Sequence, residues 1–129
     1  MKRSALLIAF IFIACAAAFG QTRAGHFDIE KTEAGKYYFI LKSSNGQEIL
    51  KGYQFGSEDK VKDAIAAVKQ QAADDANFDL RNENSQWYFF LKGADGKAIG
   101  RSENYTSEAA MKRGVESVKR TAPGAKTSD

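Results

Sequence analysis

His26 is the single histidine of the chain, and a histidine does chemistry only in company. A base or nucleophile-activating role needs a serine or cysteine beside it and a carboxylate to orient the ring, and a metal site needs further ligands. Neither grouping forms around His26, so it reads as an exposed residue at the edge of a first strand. Asp74 and Asp75 form a carboxylate doublet after a helical segment. Such doublets serve as acid and base only when burial separates their pKa values. Their polar surroundings predict a solvated linker instead. These patterns predict no catalytic residue, no metal, no cofactor and no enzyme. A hydrolase of unfamiliar type would require a buried carboxylate cluster in a cleft.

The basic residues Lys112, Arg113, Lys119 and Arg120 fall in two pairs seven positions apart. On a helix that spacing brings them to a common side, a candidate patch for an anionic ligand or nucleic acid. Glu116 lies among them at spacings of three and four and partly neutralises the stripe. A solvated helix face is therefore favoured, and nucleic acid is not the expected partner. Asn104-Tyr105-Thr106 matches a glycosylation sequon, which carries meaning only in a eukaryotic secretory route.

A different pattern lies in the strand segments. Tyr38, Ile40, Tyr88 and Phe90 alternate with Phe39, Leu41, Phe89 and Leu91. In a strand, alternate side chains face opposite sides, so one set enters the core and the other is apolar where water would be expected. Together with Leu50 the second set predicts a contiguous apolar contact surface for a protein, peptide or envelope component. Tyr37, Trp87 or a loop would cover part of it.

The elements that position these residues come from a duplication. Tyr38-Phe39-Ile40-Leu41-Lys42 aligns with Tyr88-Phe89-Phe90-Leu91-Lys92 at a shift of 50 residues, held as far as Ala73 and Pro123. Upstream, Phe27-Asp28-Ile29 matches Phe78-Asp79-Leu80 at a shift of 51, so one residue was gained or lost in the loop before the second strand. Each copy opens with an alternating strand, continues with an aromatic strand, and turns at Asn45-Gly46 or Asp95-Gly96. A three-residue hairpin loop with glycine left-handed pairs Leu41 with Ile49 and Leu91 with Ile99. Ser57 and Ser107 then cap helices whose first turns carry Glu58 and Glu108. Their inner faces are Val61, Ala64, Ile65, Val68 and Ala72, and Met111, Gly114, Val115, Val118 and Ala122. A unit of three strands and one helix is too small to hold its own core. The expected fold is α+β: two tandem β-β-β-α repeats, 26–76 and 77–123, forming one antiparallel six-stranded sheet with two helices on one face. Residues 124–129 read as a flexible tail.

Ahead of the repeats, Lys2 and Arg3 precede an uncharged apolar run from Ala5 to Phe19 that ends in small residues. This is the layout of an export signal over residues 1–20, with Ala18 and Gly20 placed for cleavage before Gln21. Ile13-Ala14-Cys15 offers a second reading, a lipid anchor at Cys15, and an uncleaved anchor is a third. Lys2 and Arg3 supply two of the formal net +3, so loss of the leader leaves a nearly neutral, cysteine-free chain. The expected product is periplasmic or secreted, and meets a membrane only through the leader or the lipid.

Phe-Phe-Leu-Lys at 89–92, Asp95-Gly96, Ser102-Glu103-Asn104-Tyr105 and Gly114-Val115-Glu116-Ser117-Val118-Lys119 resemble the repeat of the YegP-like proteins. The resemblance extends from Phe27 to Ala122. It implies six strands in one sheet with the C-terminal helices exchanged between halves, and it implies no activity or catalytic positions. Gly52-Tyr53-Gln54-Phe55 departs from the Ser-Glu-x-Tyr pattern that the second copy keeps.

Overall fold

The computed structural model describes residues 25–128. The expected leader, its cleavage site and Cys15 lie outside them. No helix among the described residues is long and apolar enough to cross a membrane.

In the first repeat β1 (His26–Lys31), β2 (Tyr37–Lys42) and β3 (Glu48–Gly52) lead into α1 (Glu58–Gln71). A short 3-10 turn at Asp75–Asn77 connects to β4 (Phe78–Glu83), β5 (Gln86–Lys92), β6 (Ala98–Arg101) and α2 (Glu108–Thr121). After a second 3-10 turn the chain closes with β7 (Lys126–Ser128). The sheet order is β4-β5-β6-β3-β2-β1-β7. All neighbours are antiparallel except β1 and β7, which pair in parallel. Seven strands in a mixed sheet thus replace the six antiparallel strands expected, and the residues read as a flexible tail supply the extra strand. Lys126, Thr127 and Ser128 carry no apolar alternation, so their pairing rests on the open backbone edge of β1, with Ala125 packed into the core just before them.

The one-residue offset between the copies has a structural origin. Thr32 N–H donates to the Lys36 carbonyl around a loop whose last residue, Gly35, has φ of +83°. In the second copy Glu83 pairs with Gln86 around Asn84 and Ser85, both at positive φ. A three-residue loop in one copy therefore stands against a two-residue loop in the other, the latter with the two left-handed residues of a type I′ turn.

The β2–β3 turn has the expected three-residue form, with Ser43 N–H donating to Gln47 and Gly46 at φ +85°. The register beyond it differs. Lys42 pairs with Glu48, but a bulge at Ile49 then makes Leu41 pair with Leu50 rather than Ile49, and one at Ile99 makes Leu91 pair with Gly100 rather than Ile99. A bulge inserts one residue into one strand and resets the facing of those beyond it.

Ser57 and Ser107 accept hydrogen bonds from the Lys60 and Ala110 amides, as N-caps do. The inner helix faces are those read from the spacing, and they join Phe27, Phe39, Leu41, Phe89 and Leu91 in one core. Phe27–Phe39 and Phe78–Phe89 make equivalent edge-to-face contacts at 5.7 and 5.6 Å. Helix α1 lies on β1 and β2 of its own repeat and on β5 of the other, while α2 lies on β5 and reaches β3. The exchange implied by the resemblance is thus partial: each helix bridges the two halves.

Candidate functional site

The repeats meet where β3 pairs with β6, through Lys51 opposite Arg101 and Gly52 opposite Gly100. Lys51 and Arg101 are the same position in the two copies, so a pseudo-twofold axis passes between them. Following the register outward gives a row across the helix-free face: Asp28, Ile40, Lys51, Arg101, Phe90, Asp79. The row is palindromic about the axis. At its ends the carboxylates are neutralised, Asp28 by Lys42 at 2.8 Å and Asp79 by Arg81 at 2.8 Å. The Arg81 guanidinium holds the Asp79 carboxyl below its ordinary range, and Asp28 pushes the Lys42 ammonium up. At the centre, Lys51 and Arg101 form no ion pair among the described residues.

Aromatic rings flank that centre. The Lys51 ammonium lies 5.1 Å from the Tyr38 ring centroid, and the Arg101 guanidinium 4.1 Å from that of Tyr88. Tyr88 meets Phe90 edge-on at 5.6 Å, and Arg81 lies over Phe90. Arg101 also donates to Asn104 Oδ1 at 2.9 Å, which orients its planar head. Tyr53 is 43% exposed beside this cluster. Burial of its hydroxyl end pushes the phenol pKa up, with the Arg101 guanidinium pulling the other way. Tyr38, Lys51, Tyr53, Gln54 and Arg101 line an open groove of about 600 Å³.

Of the five residues expected on the contact surface, Tyr38, Tyr88 and Phe90 are on the helix-free face and partly exposed. Leu50 is not: it is 1% exposed and sits in the core beneath the helices. The bulge at Ile49 is the reason, because a shift of one residue turns a strand side chain to the opposite face. Ile40 has the expected facing but is 8% exposed. It stands between Asp28 and Lys51 in the row, where the stem of a long basic side chain covers apolar neighbours. The surface is therefore more aromatic and more cationic than the alternation alone implies. Lys51, Tyr53 and Arg101 were missed, although two basic residues at the same repeat position were visible at the shift of 50.

The four helix cations are not one patch. Lys112 pairs with Glu108 at 3.4 Å, and Lys119 with Asp75 at 2.6 Å and Glu116 at 3.4 Å. Arg113 and Arg120 are exposed, and Arg120 lies by the Ser43–Gln47 turn. Asp74 accepts from the Ala76 amide and caps the 3-10 turn, so the carboxylate doublet is spent on a cap and an ion pair. His26 Nε2 lies 3.4 Å from Asp28 with its side chain 40% exposed. No group of three or more histidine, cysteine or acidic residues among those described is arranged to hold a metal.

The duplication can be set against known proteins. The model of a domain of unknown function, DUF1508, matches residues 33–79 and again 82–129. The chain belongs to the DUF1508 family. Each matched DUF1508 segment begins before the aromatic strand; the first ends two residues into β4, and the second takes in β7. The UPF0339 protein YegP of Yersinia pestis is 36% identical over 58 residues, 45% of this chain and 52% of that protein. A UPF0339 protein of Photorhabdus laumondii is 33% identical over 61 residues, 47% and 54% of the two chains. The chain thus spans about half the length of the curated relatives it matches. Solution structures cover more. YegP of E. coli, a protein of unknown function, superposes with a TM-score of 0.78 at 27% identity over 82% of this chain and 92% of that one. A UPF0339 protein of Shewanella oneidensis gives 0.78 at 26% over 82% and 91%. The DUF1508 fold is therefore shared.

Proposed function

We propose that this protein is a small non-enzymatic binding module that works through the helix-free face of its sheet. The observation that carries the reading is the central cluster on that face. Tyr38, Tyr53, Tyr88 and Phe90 stay partly open around two cations that no carboxylate among the described residues neutralises. Aromatic rings and arginine supply contact area at low entropic cost and are the residues enriched where proteins bind. The occupant is a protein, peptide or envelope component, met after export directed by residues 1–20 or, in the lipoprotein alternative, at the membrane through Cys15.

The test is affinity capture from envelope and culture-medium fractions with wild type and with Tyr38→Ser/Phe90→Ser. Both positions lie on the open face, so the double variant is expected to keep the wild-type circular dichroism spectrum while losing its partner. Unchanged capture by a folded double variant contradicts the reading. The alternative, an anion or nucleic-acid binder using Lys112, Arg113, Lys119 and Arg120, is weakened by the pairing of Lys112 and Lys119 with carboxylates. It predicts salt-sensitive retention on a polyanion column that Arg113→Glu/Arg120→Glu removes.

A further inference from the structure

We infer that the groove on the pseudo-twofold axis binds a phosphate monoester, its oxyanion held between Lys51 and Arg101. This rests on the reading of the helix-free face as the working surface and names the chemistry at its centre. Like charges directly opposite each other on neighbouring strands destabilise a sheet. Lys51 and Arg101 are such a pair. The duplication makes the conflict unavoidable once the position is basic, because a residue on the axis faces its own equivalent. Elsewhere in the same row the chain resolves its charges locally, at Asp28–Lys42 and Asp79–Arg81. Only the centre keeps two unneutralised positive charges, and a local conflict retained in a folded protein points to a site.

The chemistry of the pair selects the ligand. Two adjacent cations are matched by a dianion, and a phosphate monoester carries about −1.5 to −2 charges at pH 7 where a carboxylate carries one. Arginine presents a planar fork that suits oxyanions bidentately, and lysine adds a point charge. The Arg101 fork is already oriented by Asn104, and the flanking cation–π contacts set the Lys51 and Arg101 heads over the Tyr38 and Tyr88 rings. Tyr53, half exposed at the groove wall, offers a surface against which the ester's organic group would lie.

The probe is phenyl phosphate, titrated into the 15N-labelled protein at pH 7.5 and followed by amide chemical shifts, with benzenesulfonate as a monoanion of the same shape. Phenyl phosphate is expected to move the resonances of Lys51, Gly52, Tyr53 and Arg101, to bind at least tenfold more tightly than benzenesulfonate, and to weaken when the pH is lowered to 5. Lys51→Gln and Arg101→Gln are each expected to weaken it tenfold or more. Equal affinity for the two probes, shifts confined to α2, or undiminished binding to both variants would overturn the inference. Inorganic phosphate binding as tightly as phenyl phosphate would overturn the part assigned to Tyr53. Loss of capture by Tyr38→Ser/Phe90→Ser alongside absence of phenyl phosphate binding removes the phosphate site and leaves the contact surface. Phenyl phosphate binding with unchanged capture does the reverse.

Discussion

Tyr105 and Gly114 show how far the two copies have diverged as packed pairs. A Cβ on Gly114 would overlap the Tyr105 hydroxyl, whereas the first copy has Phe55 and Ala64 at these positions. The second copy carries an extra hydroxyl and lacks a methyl. Gly114→Ala is therefore expected to destabilise by about 1–3 kcal/mol through overpacking. In a Tyr105→Phe background the same change is expected to be neutral or stabilising by up to about 1 kcal/mol, the helix-propensity gain. Denaturant unfolding of the four proteins measures the coupling. Burial also pushes the Tyr105 phenol above its ordinary pKa, with Glu103 acting in the same direction. A folded-state pKa above the unfolded one means that this stability is present below pH 10 and lost as pH rises through the folded value. Ultraviolet titration is expected to show two late-ionising tyrosines, Tyr53 and Tyr105, of which Tyr105→Phe removes one. The like-charge pair belongs to this scale too. Lys51→Glu places opposite charges across β3 and β6, and is expected to raise stability by about 0.2–1 kcal/mol while abolishing phenyl phosphate binding. Alternation in the sequence was enough to find Tyr38, Tyr88 and Phe90. Lys51 and Arg101 were not found that way, because their meaning depends on which strands meet at the centre of the sheet.

The β2–β3 hairpin separates what turn chemistry determines from what it does not. Asn45-Gly46 signalled a hairpin, and a three-residue loop was expected because it would set Leu41 opposite Ile49; the loop is there but that pairing is not. The bulge at Ile49 was invisible, since nothing in Glu48-Ile49-Leu50 distinguishes a continuous strand from one with an extra residue. Its consequence is testable by contrast along a single strand. Leu50→Ala is expected to cost about 2–5 kcal/mol as a buried large-to-small change, while Lys51→Gln next to it is expected to stay within about 0.5 kcal/mol. Equal small effects at both would return Leu50 to the open face. Strand β7 was likewise illegible, because Lys126-Thr127-Ser128 is polar and exposed throughout. It forms by occupying an edge. Deleting residues 126–129 is expected to leave the core intact and to speed hydrogen exchange of the β1 amides that face it.

At the scale of the whole molecule, neither copy owns a complete core. Phe27, Phe39 and Val61 of the first repeat share one buried cluster with Phe89, Leu91 and Met111 of the second, and both helices reach across the seam. The two repeats are therefore expected to unfold in a single transition, without a stage at which one half stands alone. This level was the most legible, because a shift of 50 residues and the small size of each unit left shared burial as the economical solution. What the duplication does for the working surface emerged only from the sheet order. It sets equivalent residues face to face on an axis in the middle of the open face and gathers the aromatic rings of both copies around them. The helix cations, by contrast, are dispersed: Lys112 and Lys119 are in ion pairs, Arg120 lies by the Ser43–Gln47 turn, and Arg113 is exposed. The most direct measurement is parallel capture with wild type, Tyr38→Ser/Phe90→Ser and Arg113→Glu/Arg120→Glu. If the open sheet face is the binding surface, the partner disappears with the first variant and remains with the second. Retention by the first and loss by the second would contradict it.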